Sequence, residues 1–135
     1  MTNTEAWAPR ALAVLRIIVA LLFIEHGTVK LLAFPIPFPM PGPLPPLLLA
    51  AAIIEVAAGV LILLGLFTRL AAFIASGEMA VAYFLYHAVN GFWPVGNEGE
   101  GAILFCFIFL YLAAAGPGAW ALDNARSRTA RIETD

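Results

Sequence analysis

At 135 residues, the chain is 62% hydrophobic and only 12% charged, with a net charge of −2 and a mean hydropathy of +0.92. A soluble domain carries about 45–50% apolar and about 25% charged residues, so the composition excludes that class and points to an integral membrane protein. So small a net charge gives no electrostatic grip on nucleic acid, and the single cysteine, Cys106, excludes an internal disulfide and a cysteine-rich zinc site.

A helix needs about 20 mostly apolar residues to cross the hydrocarbon. Four segments meet or approach that length, at 11–34, 47–67, 70–93 and 101–120. They predict one membrane domain over residues 1–135, an all-α antiparallel four-helix bundle. The first segment contains Arg16, Glu25, His26 and Lys30. Its apolar core is too long for a cleaved signal peptide and is interrupted by these charges. Next, residues 35–46 hold seven prolines in twelve positions, a run that cannot continue a helix and should form a stiff, extended spacer on the membrane interface.

In the second segment Ala51, Ala52, Ala58 and Gly59 surround Glu55 and favour close helix approach. Thr68-Arg69 then makes a tight turn into the third segment, where Glu78 is followed by Tyr83, His87 and Asn90 at helical spacing. Residues 93–99 are rich in turn formers. In the fourth segment Glu100, Leu104, Phe107 and Tyr111 share a stripe, read either as core packing or as one wall of a pocket for a flat ligand. Gly116-Pro117-Gly118 ends that helix, and residues 121–135 form a polar tail with little regular structure.

An ionised side chain near the bilayer centre costs about 2.5–3.5 kcal/mol, so the buried charges must pair, neutralise or face a wet cavity. At 1.5 Å per residue, Glu25, His26, Glu55 and His87 fall roughly 9–14 Å below the same end of the bundle. Lys30 lies nearer the surface and Glu100 at the mouth. The expectation is one outward-opening pocket in which Glu25, His26, Lys30, Glu55, His87 and Glu100 bind a ligand or handle protons. Arg16 and Glu78, both counted about two turns from the opposite end, are expected to form a structural ion pair between the first and third helices. The Glu-x-x-His spacing of carboxylate-bridged bundles is missing, so no metal site is expected.

Arg16, His26-Gly27, Lys30-Leu31, Glu55 with Gly59, the run Leu63 to Arg69, Met79, Gly99-Glu100, and Gly116-Pro117-Gly118 with Leu122-Asp123 together resemble the DoxX family of small four-helix membrane proteins. The resemblance covers nearly the whole hydrophobic length. It implies an inner-membrane protein in a family named for a subunit of a thiosulfate:quinone oxidoreductase and linked to oxidative or quinone stress, and so a quinone as candidate ligand. The expected role is an accessory or quinone-interacting redox subunit rather than a self-sufficient enzyme. A small proton-coupled transporter and a non-catalytic scaffold are the alternatives. Expected partners are the bilayer, a lipophilic small molecule, a soluble or membrane redox protein, and a second copy packed through Gly59 and Gly65.

Arg10, Arg69, Arg126, Arg128 and Arg131 fall before the first segment, between the second and third, and after the fourth, whereas the other two loops contain no Lys or Arg. By the positive-inside rule both termini are cytoplasmic. A cysteine introduced at Gly42 should then react with an impermeant label only from outside the cell, and one at Ser127 only from the cytoplasm. The reverse pattern would overturn the orientation.

Overall fold

The computed structural model describes residues 3–132, with side chains described over 5–127. Six α-helices run as α1 (Asn3–Leu32), α2 (Pro46–Leu64), α3 (Thr68–Ala82), the single-turn α4 (Pro94–Asn97), α5 (Glu100–Ala115) and α6 (Leu122–Ile132). A π turn at Tyr83–His87 and a 3₁₀ turn at Ala88–Asn90 extend α3. Among the described residues there is no strand. α1, α2, α3 and α5 make the bundle: α1 packs on α2, α2 on α3 and α3 on α5. Ring contacts between Phe23 and both Phe105 and Phe109 close α1 against α5.

The helix ends follow local chemistry. α2 stops at Leu64, short of the expected 67, because Gly65 turns left-handed at φ +66 and its N–H is taken by the Ile62 carbonyl. α5 stops at Ala115 rather than 120 because Gly116 takes φ +92 and Pro117 follows. At 16 residues α5 is shorter than the three helices long and apolar enough to span a bilayer, which lie within Glu5–Leu32, Pro46–Leu64 and Thr68–Asn90. The polar tail is not irregular as expected. Residues 122–132 form α6, and residues 133–135 lie outside the described part.

The core is thin, mostly alanine packed around two phenylalanines. Phe23 and Phe109 are fully buried and meet edge-on at 4.7 Å, with Ile62 and Leu112 also sealed from solvent. Ser76 Oγ donates to the Cys106 carbonyl at 2.8 Å, tying α3 to α5. By contrast, Val14, Ile18, Leu21, Ile53, Leu70, Phe73, Leu104, Phe107 and Tyr111 are exposed, forming the apolar belt that lipid covers. The stripe Leu104, Phe107 and Tyr111 therefore faces lipid, while Phe105 and Phe109 turn inward. Gly59 and Gly65 are likewise not on a free face. A Cβ at Gly59 would lie 2.6 Å from Ile24 Cγ1, and one at Gly65 would lie 2.5 Å from Ala121 Cβ, so both serve packing within the chain.

One end of the bundle is latched by polar contacts. The Asp123 carboxylate accepts hydrogen bonds from Phe67 N at 2.8 Å and Thr68 N at 2.9 Å, capping α3 from a distant helix, and Asp123 N donates to the Gly65 carbonyl at 2.9 Å. Arg69 donates to the carbonyls of Ala113 and Ala114, two of the free acceptors at the end of α5. Ala119 N donates to the Pro9 carbonyl, and Arg126 stacks 4.4 Å over the Phe67 ring. Burial alone would raise the Asp123 pKa, but the hydrogen bonds from Thr68 and Phe67 and the Arg126 charge hold it below its ordinary 3.8. Its stabilisation is thus complete above pH 3.8 and is lost as pH falls through the lowered value of the folded state. Asp123→Ala should cost about 1–2 kcal/mol at neutral pH, the worth of a strong helix cap, and the wild-type advantage should vanish in strongly acidic detergent solution. Equal melting of the two proteins at pH 7 would show that the cap is idle.

Candidate functional site

At the opposite end the helices part around a chamber of about 330 Å³. Its position follows from how α1 meets α2. A Cβ on Gly27 would stand 2.6 Å from Val56 Cγ2 and 2.9 Å from the Ala52 carbonyl, so only glycine allows this approach. With the backbones this close, Lys30 Nζ reaches both Glu55 oxygens at 2.7 Å and donates to the His26 carbonyl at 3.2 Å. Glu55 is only 2% exposed. Buried at that depth, each charge is tolerable because it faces the other.

α3 supplies the next wall. Glu78 lines the chamber, and its Oε2 is buried without a hydrogen-bond partner. The π turn then carries His87, whose Nδ1 lies 3.1 Å from the Asn97 carbonyl. A carbonyl can only accept, so this contact requires the proton on Nδ1. Asn97 is itself buried, donating from Nδ2 to Gly91 O and accepting from Gly99 N, both at 2.8 Å. Glu98 stands at the rim. Apolar walls come from Met79, Ala102 and Phe105, and the proline-rich segment adds Phe38 and Met40 to the lining, so it is more than a spacer.

Of the six residues expected to share a pocket, the chamber is lined by His26, Lys30, Glu55 and His87. Glu25 and Glu100 are exposed and lie outside it. Successive helical residues differ by about 100°, so Glu25 must turn away when His26 turns in, and the chain enters α5 with Glu98 rather than Glu100 toward the cavity. The Arg16–Glu78 pair is not formed. Arg16 is fully buried at the latched end, where its Nη2 donates to the Trp120 carbonyl at 3.0 Å and Asp123 is the nearby countercharge. Glu78 instead has Glu55 and Lys30 as its charged neighbours.

A signal for this was available in the hairpin register. Glu55 lies eleven residues before Leu66 and Glu78 twelve after it, so antiparallel helices joined there must bring the two carboxylates level. Counting each helix from its own apolar boundary hid that symmetry. Among the described residues no three His, Cys, Asp or Glu side chains gather closely enough to hold a metal ion. What the arrangement offers is a fixed ion pair, an unpartnered carboxyl and an imidazole acceptor inside an otherwise apolar wall.

Lys30→Met would strand the Glu55 carboxylate and should cost about 3–5 kcal/mol of stability in detergent, whereas Lys30→Met combined with Glu55→Met should recover most of that loss. Strictly additive losses across the cycle would show that the pair does not support the fold.

The protein-family model described as DoxX matches residues 11–88. A Haemophilus influenzae protein known only as uncharacterized is 50% identical over 129 residues, covering 92% of this chain and 96% of that protein. The inner membrane protein YphA of Escherichia coli is 34% identical over 131 residues, covering 86% and 90%, respectively. An uncharacterized membrane protein of Mycobacterium tuberculosis is 31% identical over 88 residues, covering 58% of this chain and 54% of that one. No solved structure matches. With more than half its length on the family model and 92% of it aligned to a relative that is 50% identical, the chain is a membrane protein belonging to the DoxX family.

Proposed function

We propose that the chamber holds a lipophilic molecule with a compact hydrogen-bonding head, a quinone or a close chemical relative, and that the protein is an accessory, quinone-interacting subunit in membrane redox or oxidative-stress metabolism. The observation that carries this reading is Glu78, whose Oε2 is buried and unpartnered on the chamber wall, opposite the locked Lys30–Glu55 pair. A buried polar atom without a partner costs about 1–3 kcal/mol, a cost that a ligand group can relieve. A quinol hydroxyl could donate to this carboxylate or to His87 Nε2, and a protonated Glu78 could donate to a quinone carbonyl. Imidazole and carboxyl are the groups suited to passing such protons. Aromatic and aliphatic walls suit a flat ring.

The closed core disfavours the transporter alternative. Beneath the chamber Phe23, Ile62, Phe109 and Leu112 fill the bundle axis, so flux would require these packed side chains to separate. The chamber lies at the end that the arginine distribution assigns to the outside, so a proton exchanged between the bound head and water would cross on that face.

In lipid nanodiscs, a fully substituted benzoquinone should bind the wild-type protein. Glu78→Gln and His87→Ala should each weaken it about 5–10-fold, the worth of one hydrogen bond in a buried site, while leaving the melting temperature near that of wild type. Unchanged affinity in both variants, or mass-spectrometric recovery of a ligand with no ring and no hydrogen-bonding head from the purified protein, would overturn the assignment.

A further inference from the structure

A second cavity of about 220 Å³ lies between α2 and α3, walled by Leu47, Ile54, Ile74, Val81 and Leu85. Those five side chains are apolar, and Leu47, Ile74, Val81 and Leu85 are each about half exposed, so the groove opens toward the lipid. It shares a wall with the chamber: Ala51, Glu78, Ala82 and Tyr86 line both. Small residues on facing helices ordinarily bring the backbones together. Here they do not: a Cβ added at Gly77, in the floor of the groove, would meet nothing within 4 Å. The gap is therefore open space beside a polar chamber, reached from the bilayer.

We infer that the site is bipartite and loaded sideways from the membrane: the polar head of one amphiphile enters the chamber between Ala51 and Ala82, passing Glu78 and Tyr86, and its single hydrocarbon tail stays in the α2–α3 groove. This rests on the chamber being the ligand site. The shared wall is what selects the occupant. A tail in the groove has its polar end delivered to the unpartnered Glu78 oxygen, whereas an unconnected lipid chain would leave that oxygen unsatisfied. Phe38 and Met40 of the proline-rich segment line the chamber but not the groove, so the α2–α3 opening leads to Glu78 without passing that segment.

The test uses the full chain in nanodiscs and two probes with the same fully substituted benzoquinone head, one carrying a ten-carbon alkyl tail and the other a methyl group. Gly77→Phe should fill the groove without touching the fold and weaken the tailed probe about tenfold, the worth of roughly two buried methylenes, while changing the methyl probe less than about twofold. His87→Ala should weaken both probes alike. If His87→Ala weakens both but Gly77→Phe spares the tailed probe, the groove is not a tail site and the inference fails while the chamber reading stands. If Gly77→Phe weakens the tailed probe and His87→Ala affects neither, the groove stands and the head lies elsewhere. Failure of wild type to bind either probe overturns both. As a second readout, a diazirine on the tail should label α2 and α3 around Ile54, Ile74 and Leu85, and labelling confined to α1 or α5 would refute the placement.

Discussion

An ammonium inside a membrane requires its countercharge at contact distance, and in this protein that requirement shapes one half of the bundle. Lys30 meets Glu55 because Gly27 lets α1 settle onto Ala52 and Val56, and because Gly59, further along the same seam, accepts Ile24. Both glycines act by removing a Cβ from a contact that would otherwise fall at 2.6 Å. Two helices are thereby locked at the depth where Glu55 sits, and the third and fourth must close the ring around an ion pair that cannot be moved. Phe23 and Phe109 fill the axis below that level; above it Phe105 and Met79 line a cavity instead. The chamber is thus what remains when a charged seam and an apolar core plugged by two phenylalanines share one narrow bundle.

The other end is held by different means. Arg16 bonds the Trp120 carbonyl, and Asp123 caps α3 while accepting from the turn that leaves α2. Arg69 satisfies carbonyls at the end of α5. Gly118, at φ +70, fits against the Pro9 carbonyl, where a Cβ would come to 2.7 Å. Two of the stretches that carry the family resemblance, Leu63 to Arg69 and Gly116 to Asp123, therefore gather in one clasp that joins the ends of α2 and α5 to the starts of α3 and α6. Charge at this end caps and ties backbone, whereas charge at the chamber end faces a space. That division explains how buried arginine and buried carboxylates occur in one small chain without neutralising each other directly.

Much of this was legible in the residues. Apolar length predicted four helices, the proline run predicted the break after the first, and matched depths put Glu25, His26, Glu55 and His87 at one level with Lys30 nearer the surface. What escaped was azimuth and register. Depth alone cannot separate Glu25 from His26, because helical rotation, not rise, decides which one faces inward. Glu78 was assigned to Arg16 since each was measured from a hydrophobic boundary, and such boundaries blur by several residues where a helix, like α1, runs on through polar sequence to Asn3. The tail looked unstructured by composition, yet Asp123 has backbone donors waiting on the α2–α3 turn, and that tertiary contact organises the start of α6.

The last wall of the chamber depends on a break in regular structure. An α-helix continued past Ala82 would carry His87 round by its usual 100° per residue, but the π turn at Tyr83–His87 widens the coil and shifts that phase. His87 is then close enough for its ring to reach the Asn97 carbonyl, and Tyr83 stacks beside it at 6.4 Å. Asn97 holds the intervening loop by bonding Gly91 and Gly99, and Gly99 is required because a Cβ there would meet the Tyr83 ring at 2.6 Å. Imidazole tautomer, loop shape and helix phase are therefore set together. Helix distortions of this kind cost backbone hydrogen bonding and persist where something else is gained. Here the gain is an imidazole anchored through one nitrogen and set into the chamber wall.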